Sequence, residues 1–93
     1  MAPQNRAREH IAIRRRRLQY RAAHRGTREL DLLLGPFAAA HAGAMGEPEL
    51  DALERLLEEA DTVLQDWLLG QTEPPADQLA LIQNILAFRQ TPT

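Results

Sequence analysis

LDLLLGPFAAAH, residues 30–41, is the stretch on which the fold turns: Leu30, Leu33, Leu34, Phe37, Ala38 and His41 recur at i, i+3, i+4, i+7, i+8 and i+11 without a mismatch. That period is one face of an α-helix. A helix with a single apolar face must bury it against a neighbour, so the segment predicts a packed helical protein. Pro36 lies inside the pattern and cannot donate to the carbonyl of Leu32, which predicts a kink or loosening at Gly35-Pro36. His41 closes the stripe and is expected as a hydrogen-bonded or half-exposed histidine, not as a metal ligand.

Toward the C-terminus, AHAGAMGEP (40–48) is small and glycine-rich and reads as a connection. Pro48 suits a first helical turn, where Glu47, Glu49 and Asp51 place negative charge at the positive end of the helix dipole. Leu50, Leu53 and Leu57 continue as a core stripe. Whether this helix runs on to Gly70 is open, because Leu64 and Trp67 or Leu68 extend the register and no Gly or Pro intervenes. Asp61 alone suggests a break, as N-cap of a short helix carrying Val63, Leu64, Trp67 and Leu68. GQTEPPAD (70–77) is a loop, and a last helix from about Pro75 to Gln90 has a broad apolar face from Leu79, Leu81, Ile82, Ile85, Leu86 and Phe88.

Toward the N-terminus, Gly26 ends a helix that begins at Glu9. Its two sides differ. Ile11, Leu18 and Ala22 align on one, while Ile13 and Tyr20 lie nearly opposite, with Arg17 and His24 flanking Tyr20. One side can enter a core and the other must face water or a partner. Residues 1–8 read as a disordered leader, 9–90 as a single helical domain and 91–93 as a tail. No stretch alternates with the period of two that strands need, and short loops between amphipathic helices give an all-α, antiparallel bundle.

Composition narrows the function. The 93 residues include no Cys, which removes disulfides, thiolate nucleophiles and Cys-based zinc sites, and fits a reducing compartment. No apolar run approaches the roughly 20 residues of a spanning helix, and no secretory h-region is present. The Arg-rich start has the flavour of a mitochondrial presequence, but Glu9 and the early onset of helical pattern argue against one. His10, His24 and His41 show no metal-binding spacing, the Glu58, Glu59, Asp61 cluster reads as a solvated face or cap, and no phosphate-binding or nucleophile-elbow motif occurs. No catalytic, cofactor-binding or metal residues are therefore assigned, and the chain is not expected to be an enzyme.

The formal charge of −2 conceals a polarised chain. Residues 1–28 carry nine Arg against Glu9 alone, a balance of +8, whereas residues 29–93 carry Arg55 and Arg89 against twelve acids, a balance of −10. The run Arg14 to Arg17, with Arg21, Arg25 and Arg28, could bind phosphates. Four consecutive helical residues point all around the axis, however, no adjacent helix offers a base-reading set, and the acidic body repels a wrapped backbone. Nucleic acid is disfavoured, and a solvated arginine face paired with the acidic helices accounts for much of the run.

Arg25-Gly26-Thr27-Arg28-Glu29 is more specific. If Gly26 is the N-cap of the second helix, Glu29 sits at N3 and can reach back to the Gly26 N–H, a cap of ~0.5–2 kcal/mol. The glycine also leaves a spot without side-chain cover, where a partner backbone could approach.

Residues 17–38, RLQYRAAHRGTRELDLLLGPFA, resemble the succinate dehydrogenase flavinylation assembly factors, small helical proteins with an R-G-x-x-E motif. Arg25, Gly26 and Glu29 match it, preceded by Arg17, Leu18 and Tyr20 and followed by Leu30-Asp31, with further agreement at Asp61, Trp67-Leu68 and Pro74-Pro75. The resemblance covers roughly residues 15–89. It implies a bundle of about five helices broken near Ala60-Asp61, and a protein that binds the flavoprotein subunit of succinate dehydrogenase, or of fumarate reductase, and promotes covalent FAD attachment to it. By the same resemblance Arg25, Gly26 and Glu29, with Arg17, Tyr20 and Asp31, form the partner-binding surface, and FAD belongs to the client and is not held stably by this chain. His24 stands where the family commonly has Arg or Lys. The absence of Lys beside heavy Arg and Ala use suggests a GC-rich bacterial genome and a cytoplasmic setting. The competing readings are a generic helical interaction module and an arginine-rich nucleic-acid binder.

Overall fold

The periodic stretch forms α2 (Arg28–His41), which runs unbroken through Pro36. A computed structural model describes residues 3–90. Before α2 comes α1 (Pro3–Ala23). A single 3₁₀ turn (Ala42–Ala44) follows α2, and then come α3 (Glu47–Leu57), α4 (Asp61–Leu68) and α5 (Ala76–Gln90). Among the described residues there is no strand. The described residues form an all-α bundle of five α-helices.

α1 starts six residues ahead of the expected Glu9, so positions 3–8 of the anticipated leader are helical. The reason is local: Pro3 suits a first helical position, and Gln, Arg and Ala follow with no breaker before Gly26. Residues 1–2 of that leader, and the 91–93 tail, lie outside the described residues.

One apolar cluster joins the helices. Leu18 and Ala22 of α1, Leu30, Leu34 and Phe37 of α2, Leu50, Leu53 and Leu56 of α3, Leu64 and Trp67 of α4, and Ile82 and Ile85 of α5 are all buried in it. α1 packs along α2 and touches α3 and the 3₁₀ turn, while α5 lies across α2, α3 and α4. The α1–α2 approach depends on Gly35, where a Cβ would stand 3.2 Å from the Cα of Ala23 and 3.3 Å from its Cβ. Leu32 and Pro36 are exposed, so water can serve the Leu32 carbonyl that Pro36 leaves without a helical donor.

The open question between Leu57 and Asp61 resolves as a break. α3 ends at Leu57, and Ala60 in extended conformation, not Asp61, is the N-cap of α4. At the other end of α3 the Gly46 N–H donates to Glu49 Oε1 at 2.8 Å, the N3-to-N-cap bond that the sequence suggested for Gly26 and Glu29.

Candidate functional site

The α1–α2 turn is where the motif residues gather. Gly26 has φ +96°, a left-handed conformation that favours glycine, and a Cβ placed there would meet nothing within 4 Å. The turn is locked from beneath. The backbone N–H of Arg25 donates to Asp31 Oδ1 at 2.8 Å. The Arg25 side chain, only 12% exposed, points inward: Nε donates to Asp61 Oδ1 at 2.9 Å, and Nη2 forms an ion pair with the same oxygen at 2.7 Å. Nη1 donates to the Leu57 carbonyl at 2.6 Å and Nη2 to that of Glu59 at 2.7 Å.

Those two carbonyls stand at and beyond the C-terminal end of α3, where backbone acceptors lack helical donors. Arg25 therefore caps α3 from another part of the chain and brings positive charge to the negative end of its dipole. Asp61, at the first position of α4, completes the corner by accepting from Thr27 Oγ1 through Oδ2 at 2.8 Å. The Thr27 hydroxyl and then the Arg25 guanidinium hold the Asp61 carboxyl below its ordinary pKa of 3.8.

This corner replaces the anticipated capping box. The N-cap of α2 is Thr27, not Gly26, so Glu29 falls at N2, out of register for a reciprocal bond to the Gly26 N–H. Asp31 takes the local role by holding Arg25 N. Glu29 is left exposed, with no hydrogen bond or ion pair to another described residue.

Of the six residues singled out from the sequence, Gly26, Glu29, Arg17 and Tyr20 face outward, Asp31 is half-buried in the turn, and Arg25 is turned into the corner. Tyr20 is 65% exposed, and its ring stacks on that of His24 at 4.1 Å between centroids. The His24 Nδ1 bonds to the Tyr20 carbonyl at 2.9 Å, which fixes the imidazole against the helix end. Tyr20, Arg21, His24 and Arg25 line a shallow hollow of about 290 Å³ beside the Gly26 turn. Thr27 is the residue whose role the sequence did not disclose. A threonine ahead of an acidic first turn signals an N-cap, but its hydroxyl makes a tertiary bond, which no local signal announces.

The arginine run divides. Arg14 donates to Asp51 and to Glu54, the latter at 2.8 Å, and Arg15 donates to the Met45 carbonyl at 2.7 Å. Both tie α1 to the α3 side of the bundle. Arg16 and Arg17 are exposed and have no such partner among the described residues. A groove of about 700 Å³ lies at the far end of α2, floored by Phe37, Met45 and Leu81 and rimmed by Glu49 and Asp77. His41 is exposed at its edge, with Phe88 edge-on at 5.2 Å, so it borders the core without entering it.

The described residues define a class, the small all-α bundle, with a bare glycine turn at Gly26 beside the exposed Tyr20. A family model described as flavinator of succinate dehydrogenase matches residues 16–89. The chain belongs to that family. It is 46% identical over 72 residues to the FAD assembly factor SdhE of Acetobacter pasteurianus, covering 77% of this chain and 66% of that protein. It is 38% identical over 82 residues to the mitochondrial succinate dehydrogenase assembly factor 2 of Saccharomyces cerevisiae, covering 86% and 51%. The corresponding Caenorhabditis elegans protein is 39% identical over 71 residues, covering 74% and 60%. The chain spans between about two fifths and two thirds of the length of the first curated relatives it matches. No solved structure matches it. No helix among the described residues is long and apolar enough to cross a membrane.

Proposed function

We propose that this chain binds the flavoprotein subunit of succinate dehydrogenase, and by the same surface that of fumarate reductase, and promotes covalent attachment of FAD to it. The observation that carries this reading is the Gly26 turn, a bare spot in left-handed conformation at the motif shared with the family, held by Arg25, Thr27, Asp31 and Asp61. A turn fixed by five hydrogen bonds and an ion pair offers a partner backbone a surface that loses little entropy on docking. Gly26, Glu29, Tyr20 and Arg17 meet the client, while Arg25 and Asp31 shape the surface they stand on. Binding steadies the client so that its histidine and its flavin meet in reactive geometry, a proximity effect supplied by a second protein.

The bond is made on the client, and no side chain of this chain takes part in it. FAD stays with the client as well: the groove at the far end of α2 is rimmed by Glu49 and Asp77, whose carboxylates repel a pyrophosphate. The bacterial relative and the Arg-rich, Lys-free composition support action in a bacterial cytoplasm.

Two substitutions at one position test the surface. Gly26→Ala and Gly26→Arg share the left-handed backbone penalty of about 1–2 kcal/mol, but only the arginine fills the bare spot. Both should melt at similar temperatures. On a co-expressed client, in-gel flavin fluorescence should persist with Gly26→Ala and vanish with Gly26→Arg. Wild-type fluorescence with Gly26→Arg would falsify the assignment of this turn.

A further inference from the structure

Ile13, Arg16, Arg17, Tyr20 and Arg21 of α1, and His24 just past its end, follow i, i+3, i+4, i+7, i+8 and i+11, the spacing of one helix face. It is the same spacing as the core stripe of α2, yet this face is turned away from the core. Ile13 is 55% exposed and Tyr20 65%, Arg16, Arg17 and His24 are exposed, and Arg21 is half-buried. The stripe runs about 16 Å along the helix and ends in the hollow beside Gly26.

We infer that this stripe is a second part of the docking surface, and that it takes an acidic protein surface: carboxylates against Arg16, Arg17 and Arg21, with apolar pockets for Ile13 and Tyr20. The inference rests on the reading that the chain binds a flavoprotein client, and names the chemistry of the client's surface. Three observations carry it. Within the run of four arginines, Arg14 and Arg15 are engaged with α3 and the Met45 carbonyl, whereas Arg16 and Arg17, on the stripe, have no such partner among the described residues. A merely solvated face needs no large apolar residues, yet here two of them alternate with guanidinium groups, and tyrosine and arginine are enriched where interfaces concentrate their binding energy. The stacked His24 ring and its bond to the Tyr20 carbonyl hold Tyr20 and the helix end in place before any partner arrives.

The guanidinium fork pairs carboxylates and phosphates alike, but the rest of the molecule decides between them. Residues 29–93 carry a balance of −10, which repels a long phosphate backbone beyond the first few contacts, whereas a folded protein can present carboxylates to the stripe alone.

The test uses the full chain and the client flavoprotein purified from cells lacking this chain, with association and dissociation rates measured at about 50 and about 300 mM salt. Arg16→Glu with Arg17→Glu should slow association at least about tenfold at the lower salt, and the gap should narrow at the higher. Arg55→Glu with Arg89→Glu changes net charge equally away from the stripe and should stay within about twofold of wild type. Arg16→Gln with Arg17→Gln, which adds no repulsion, should show a smaller loss in the same direction, and Ile13→Ser should speed dissociation. Circular dichroism should match wild type throughout. If the glutamate and glutamine pairs associate as wild type does while Gly26→Arg still abolishes client flavin, the stripe is refuted, Arg17 leaves the client-facing set, and client binding through the Gly26 turn stands. If the wild-type chain neither binds nor flavinylates the client, both fall. Binding of duplex DNA or RNA at physiological salt, or self-association, lost with the stripe variants while client binding persists, would also overturn the inference.

Discussion

Arg25 changes meaning once its surroundings are known. In the sequence it is the first residue of a motif and a candidate contact; in the structure its guanidinium closes the end of α3 and pairs with Asp61, and what it offers a partner is the position of Gly26. Arg25→Lys should therefore lower stability and flavinylation together, because an ammonium cannot serve Asp61 and two carbonyls in a fixed plane. A chemical melt beside in-gel flavin fluorescence checks this, and a lysine variant that loses flavin at unchanged stability would restore Arg25 to the contact surface. Asp61 gives a pH signature. Its folded-state pKa lies below its ordinary 3.8, so its contribution is fully present above that value and is lost as pH falls through the lower, folded one. Asp61→Asn should melt below wild type at pH 7, and the two melting temperatures should converge as the pH drops below 3.8. At Glu29 the reciprocal cap that its spacing from Gly26 suggests is absent: that bond is made by Glu49 to Gly46 instead, and Glu29 faces outward.

At the scale of elements, α2 and α5 were legible because their own apolar spacing specifies them, and the two-sidedness of α1 was legible for the same reason: Leu18 and Ala22 are buried where Ile13 and Tyr20 are not. The start of α1 at Pro3 is not legible from apolar spacing, because residues 3–8 carry no apolar period, although Gln, Arg and Ala are good helix formers. The α3–α4 break had a single cue in the residues, Asp61, and stayed open because α3 could continue in register through Glu58 and Glu59; what stabilises its end is Arg25, more than thirty positions away. Packing between elements makes its own prediction at Gly35. Gly35→Val should destabilise by about 1–3 kcal/mol by forcing α1 off α2. Gly35→Ala should cost less, because the gain in helix propensity of about 1 kcal/mol offsets part of the crowding. Urea melts of the two variants check the order.

The whole molecule is a bundle whose charge polarity is partly spent inside it. Arg14 lies between Asp51 and Glu54, which hold its pKa above the usual arginine value, so the basic helix is fastened to the acidic body. Arg14→Ala should lower the melting temperature, and the difference should shrink in 1 M salt, where the Debye length falls to about 3 Å. The shared core sets the larger scale: Leu50→Ala, at a fully buried position, should cost about 2–5 kcal/mol in a urea melt and loosen all five helices together. The sequence by itself determined that the protein is helical, which helices have one apolar side and which turn carries the glycine, because apolar spacing and glycine's backbone freedom act over a few neighbouring residues. Only the tertiary structure decided where α3 stops, that Arg25 supports the turn from within, and which arginines remain free for a partner. Those outcomes depend on hydrogen bonds and ion pairs between residues far apart in the chain, and such bonds exist only after the core has brought the helices together.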